Sequence, residues 1–283
     1  SFMKDRREIL FESLLILLST IFSLVCGSIL AMLILLSVYI GPNFLLGLSA
    51  TKYQSLIENH SFLSWLTILG EGLALLFIWL FNHFLFKVKV FFLNKKFFRA
   101  LAIGSPVIIF IGINLYVYLS KKSAISFFDF FTAASVSLLV GIFEEYAARG
   151  MIIGKLEEST AKNFSFFVTV IISAIFFSAL HLINLFSASL EITSVQIIYT
   201  SALGILFGLV YLVTKNLTVT IISHTLIDFI AFMADPKAIF GLGHPTVNLI
   251  DFVFNLTILI IFFAYAKLFL KKINLKKLQK NWN

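Results

Sequence analysis

The chain has little charge. Asp, Glu, Lys and Arg make up 13% of its 283 residues, against about 25% in an average soluble domain. So few charged side chains cannot cover a water-facing surface, which excludes a soluble fold of this length. Cysteine is nearly absent. The one thiol, Cys26, excludes an internal disulfide, and its place within an apolar stretch marks it as a small packing residue. Several chemical signatures are missing as well. There is no His-Glu-x-x-His helix, no Gly-x-Ser-x-Gly elbow and no phosphate-binding Walker loop, which removes the commonest metalloprotease, serine hydrolase and nucleotidase patterns. Ser178 has nothing around it that marks a nucleophile. No strong internal repeat is visible, so a transporter built from duplicated halves is not indicated.

What is present is apolar. Hydrophobic residues are 60% of the chain, with 34 Phe, and the mean hydropathy is +1.01. Lipid is therefore the solvent, and the Phe residues suit a lipid-facing surface. A spanning helix needs about 20 mostly apolar residues. Eight such stretches are predicted, over 10–39, 62–86, 100–119, 126–154, 164–183, 195–213, 217–234 and 247–270. They define an all-α fold, a polytopic bundle of about eight transmembrane helices, with 1–283 as a single integral membrane domain.

The net charge of +8 lies in short basic runs between these stretches. That is the pattern of cytoplasmic loops rather than of a nucleic-acid surface. With eight spans and Arg149 set aside, seventeen Lys and Arg residues fall on the side of the termini. Four, Lys52, Lys121, Lys122 and Lys237, fall on the other. The bias predicts cytoplasmic termini. Lys4, Arg6 and Arg7 precede an apolar stretch too long for a cleavable signal, and Ser1 and Phe2 ahead of Met3 are taken as a dipeptide foreign to the natural chain. Gly150 with Gly154, and Gly204 with Gly208, form Gly-x-x-x-Gly pairs of the kind that lets helix backbones approach.

Ionisable groups within a bilayer each cost at least about 2.5–3.5 kcal/mol near a helix centre, so they need partners or a purpose. The fourth stretch contains Glu144, Glu145 and Arg149 within six residues. Glu145 and Arg149 are spaced i, i+4 and are expected to pair. Glu144 is rotated about 100° from Glu145 and is free to face a cavity. The fifth contains Phe177 and His181 on one face, and the seventh His224 and Asp228, again i, i+4. Three helices thus aim polar groups at one another, and their meeting place is the bundle interior. Glu71 is expected to pair with a neighbouring helix. Asp129 and Asp251 sit near helix starts, where the dipole favours them. His60, His83 and His244 lie in or near loops.

A carboxylate, two histidines and an aspartate can hydrolyse a bond in two ways. In one, Glu144 is a general base, His181 helps hold or activate the water, and His224 with Asp228 stabilises the oxyanion. In the other, Glu144, His181, His224 and Asp228 hold a divalent metal such as zinc that activates the water. Both routes remain open on residue types alone. Depth is also open. His181 lies about 25 Å along its helix from Phe164, whereas His224 lies only about 10 Å from Leu217, so tilt or irregular helix ends must bring them level.

Glu144-Glu145-x-x-x-Arg149, Phe177-x-x-x-His181 and His224-x-x-x-Asp228, in that order on separate helices, resemble the CPBP family. That family includes the CAAX prenyl-protein endopeptidases and bacterial proteins linked to bacteriocin processing and self-immunity. The resembling region is roughly 125–235, the peptidase motif core. The resemblance implies an eight-helix fold and intramembrane endopeptidase activity of glutamate- or metal-dependent type. By position it implies Glu144 and His181 as the water-activating pair and His224 and Asp228 as the oxyanion or supporting pair. Glu145, Arg149 and Phe177 would shape the site. Prenyl proteases carry Asn at the position of Asp228. An ionised Asp would repel an oxyanion, so here it is protonated, orients His224 or helps bind a metal.

The expected substrate is a hydrophobic or lipidated peptide at the membrane, with lipid as the other partner and no nucleic acid. The composition and size suggest a bacterial plasma membrane, with peptide maturation or immunity ahead of prenyl-protein processing. The competing readings are a non-catalytic membrane scaffold or bacteriocin immunity protein, and an ion-coupled transporter.

Overall fold

The computed structural model describes residues 6–121, 124–158, 164–243 and 246–282. Lys4, Lys122, His244 and the dipeptide ahead of Met3 lie outside the described residues. Among the described residues all regular structure is helical. Eight helices are long and apolar enough to cross a membrane: Arg6–Tyr39, His60–Phe86, Phe97–Lys121, Phe127–Glu157, Phe166–Phe186, Leu190–Thr214, Leu217–Ala234 and Leu249–Lys272. They are the eight expected spans, shifted at their ends by a few residues.

Capping explains several of those ends. Asn59, Ser126, Ser165, Ser189, Asn216 and Asn248 each accept a backbone N–H from the first turn of the helix that follows. At Asn248 the cap is reciprocal, with the Asp251 carboxylate accepting from the Asn248 N–H. Ser189 carries the sixth span five residues earlier than apolarity alone predicts, through Glu191. Within lipid every polar group must be satisfied locally. Ser13 and Thr20 accordingly donate to the carbonyls of Ile9 and Ile16 in their own helix.

The first span packs on the second, the fourth on the seventh, and the sixth on both the fifth and the eighth. The sixth is the centre. Of its most apolar stretch 78% is buried, against 17% for the eighth. Its close approach to the fifth depends on glycine. A Cβ at Gly204 would lie 2.8 Å from the Ala174 Cα, and one at Gly208 would lie 3.4 Å from Val170. The other glycine pair works differently from expectation. Gly150 and Gly154 face Val90 and Val88, which belong to the non-helical segment after the second span rather than to another helix.

That segment closes the end of the bundle where the termini lie. The second span stops at Lys87, whose left-handed backbone (φ 54°) turns the chain. Asn82 then holds both backbone groups of Val88 and donates to the Tyr146 hydroxyl at 2.7 Å. The Phe91 and Phe92 carbonyls accept the N–H groups of Leu217 and Thr218. Asn94 caps the carbonyls of Thr214 and Lys215, and Trp282 donates to Leu212. Lys215 lies over the rings of Phe91 and Trp282, each 4.2 Å away. Partial burial there, with Lys96 and Lys89 close by, holds its ammonium below the usual lysine range.

Gly204→Val is expected to lower the melting temperature of the detergent-purified protein, at about 1–3 kcal/mol, the range for overpacked cores. Gly72→Ala, where nothing lies within 4 Å of the added carbon, should leave it unchanged.

Candidate active site

The fourth span is α-helical as far as Glu145. From Tyr146 to Met151 it widens into a π-helical turn, and then it resumes as α-helix. Such widened turns cluster at functional sites. Gly141 brings this helix against the seventh: a Cβ there would stand 2.6 Å from the Thr225 hydroxyl. With no side chain between the backbones, the carboxylates one turn later reach His224.

Glu145 and Arg149 form the expected pair, with Oε2 and Nε 3.1 Å apart and both side chains fully buried. The guanidinium is otherwise enclosed by rings. Its carbon lies 4.1 Å from the centre of Phe177 and 5.7 Å from that of Phe207. Its Nη1 and Nη2 have no hydrogen-bond partner among the described residues. Aromatic faces thus take the place of hydrogen-bond acceptors around this cation.

Glu145 does more than was expected of it. Its second oxygen accepts from His224 Nδ1 at 2.9 Å. One carboxylate therefore joins the fourth span's arginine to the seventh span's histidine. On its other side, His224 Nε2 faces Asp228 Oδ2 at 3.3 Å and Glu144 Oε2 at 3.6 Å. A proton on Nε2 or on one of these oxygens makes the cluster attractive, since three bare lone pairs would repel.

His181 stands where the fifth span tightens from α-helix into a 3₁₀ turn over His181–Phe186. Its Nδ1 lies 3.0 Å from the Phe177 carbonyl. A carbonyl can only accept, so Nδ1 carries hydrogen and the neutral ring presents Nε2 as an acceptor. The Phe177 ring also meets His181 and His224 edge to face, at 5.2 and 5.6 Å between ring centres. Phe177, expected to support His181, is thus in contact with Arg149 and both histidines.

Glu144, Phe177, His181, His224 and Asp228 line one cavity of about 810 Å³. Two points depart from expectation. Among the described residues the histidine in contact with Glu144 is His224, while His181 shares the cavity wall. Glu71 belongs to the same wall, and among the described residues its Oε2 has no hydrogen-bond partner. Its signal in the sequence was a carboxylate inside an apolar span. Asp129 stands in the first turn of its helix as expected, its N–H donating to the Ser126 cap, and its carboxylate also accepts from His60 at 2.6 Å. Among the described residues no three His, Cys, Asp or Glu side chains converge as a metal site.

This is a multi-pass helical bundle with carboxylates and histidines gathered around a buried arginine. Residues 125–230 match the family model described as type II CAAX prenyl endopeptidase Rce1-like. The match covers nearly all of the predicted motif core, bears out the resemblance carried by the three motifs, and supports a CAAX-type intramembrane peptidase at the level of the family. No curated relative and no solved structure matches the chain.

Arg149→Leu should cost about 3–5 kcal/mol, because it strands a buried carboxylate. Adding Glu145→Gln should restore most of the loss, since an amide oxygen still accepts from His224 Nδ1. Thermal unfolding of the purified wild type and the two variants checks both.

Proposed function

We propose that the protein is an intramembrane endopeptidase whose own side chains activate water against a peptide bond of a hydrophobic or lipidated peptide. The observation that carries this reading is that Glu144, His181, His224 and Asp228, from three helices, line one cavity inside the segment that matches a CAAX endopeptidase family. Hydrolysis needs a base, an acid and a donor for the oxyanion. Glu144 takes a proton from water as the oxygen attacks the carbonyl carbon, and returns it to the departing amine as the C–N bond breaks. His181, with Nε2 free as an acceptor, holds the water's second hydrogen. His224 is fixed at Nδ1 by Glu145 and turns its Nε2 edge toward the carbonyl oxygen. Asp228 orients that edge, and His224 in its protonated form donates from Nε2 to the oxyanion.

Buried Arg149 sets the cluster's geometry without touching substrate. It holds Glu145, which holds His224. Glu71 adds a further carboxylate to the wall. By composition the setting is a bacterial plasma membrane, and peptide maturation is the favoured role.

Glu144→Gln and His181→Ala should each reduce cleavage of a membrane peptide by about 10²–10⁴, the usual contribution of general acid–base groups, with unchanged thermal unfolding. Wild-type cleavage by either variant would sink the reading in favour of a non-catalytic scaffold. Asp228→Asn should retain cleavage, because an amide can also orient His224, while Asp228→Leu should lose it. Metal analysis of the purified protein, run beside a chelator-treated assay, reads metal dependence independently of these substitutions.

A further inference from the structure

The cavity does not sit evenly in the bundle. Its deep wall is Glu144, Phe177, Leu203 and His224. From there it continues along the upper parts of the third, fifth, sixth, seventh and eighth spans to Lys121, Ser187, Asp235, Gly241 and Asp251. All of these rim residues stand at helix ends remote from the termini. Along the seventh span alone, His224 to Ala234 is a rise of about 15 Å, so the catalytic groups lie at the bottom of a shaft.

The other end is closed. Phe177 and Phe207 cover Arg149 beneath the site. Below them lies the segment after the second span, bonded through Phe91, Phe92 and Asn94 to the turn between the sixth and seventh spans. Trp282 packs on Phe91 and Tyr211 from the C-terminal helix Leu275–Trp282. Among the described residues, none from 82–97, 150–158, 207–217 or 272–282 lines the cavity.

We infer that the cavity admits its peptide from the end of the bundle opposite the two termini. The charge distribution then gives the side of the membrane. The closed end carries the basic runs, which the positive-inside rule assigns to the cytoplasm, so the mouth faces outward. The substrate class that follows, resting on the peptidase reading, is an apolar peptide segment already exported or held in the outer leaflet. A lipidated C-terminus presented from the cytoplasm would meet the closed end.

The test uses full-length protein with Cys26→Ser as background and single cysteines at Ser187 on the rim, Val195 on the cavity wall and Lys89 at the closed end. A small membrane-impermeant thiol reagent is applied to spheroplasts and, separately, to inverted vesicles. Ser187→Cys and Val195→Cys should label in spheroplasts and Lys89→Cys only in inverted vesicles. Coupling a bulky maleimide to Ser187→Cys should abolish cleavage of added peptide. Labelling of Val195→Cys together with Lys89→Cys would overturn the direction of access. Labelling of Lys89→Cys alone in spheroplasts would overturn the outward assignment. Full cleavage after the maleimide has coupled would show that peptide takes another route. If labelling follows expectation but the unblocked protein cleaves nothing, the peptidase reading fails while the direction of access stands.

Discussion

The arrangement depends on one buried ion pair. Glu145 and Arg149 are fully enclosed, with no exposed side-chain surface. Removing each ion from water costs several kcal/mol even after relaxation, so the pair survives only if every remaining face is matched. Phe177 and Phe207 lie over the guanidinium, and His224 takes the second carboxylate oxygen. The three sequence motifs are therefore one contact cluster. The arginine needs the phenylalanine, the phenylalanine carries the first histidine, and the glutamate that neutralises the arginine also orients the second.

Backbone irregularity places these groups. The fourth span opens into a π turn directly after Glu145, and the fifth tightens into a 3₁₀ turn at His181. Both departures occur where side chains of different helices must meet at one depth. Gly141 contributes in the same way from the opposite wall, allowing the fourth and seventh backbones to touch so that short carboxylate side chains suffice to reach the imidazole.

The bundle is asymmetric along its axis. One end is knitted together by hydrogen bonds between a non-helical segment and two helix ends, and by aromatic packing from the C-terminal helix. The other end holds a polar-rimmed cavity. On the proposed peptidase reading this asymmetry separates stability from access. The sealed end fixes the geometry beneath the carboxylates and histidines, while the cavity fills the other end.

The amino-acid sequence by itself determined the eight spans, because lipid imposes a length and an apolarity that a linear reading detects directly. It also determined the Glu145–Arg149 pair and the His224–Asp228 neighbourhood, because i, i+4 spacing within one helix fixes which side chains share a face. The tertiary structure alone decided the contacts between helices. Glu145 reaching His224, Glu144 lying beside His224 rather than His181, and Glu71 joining the cavity wall all depend on helix rotation and depth. No residue spacing encodes either. The Gly150 and Gly154 pair carries the same lesson, since small residues announce a close approach but not what approaches. The direction in which the cavity opens was likewise beyond a linear reading, because it arises from the packing of a non-helical segment whose partners lie more than a hundred residues away.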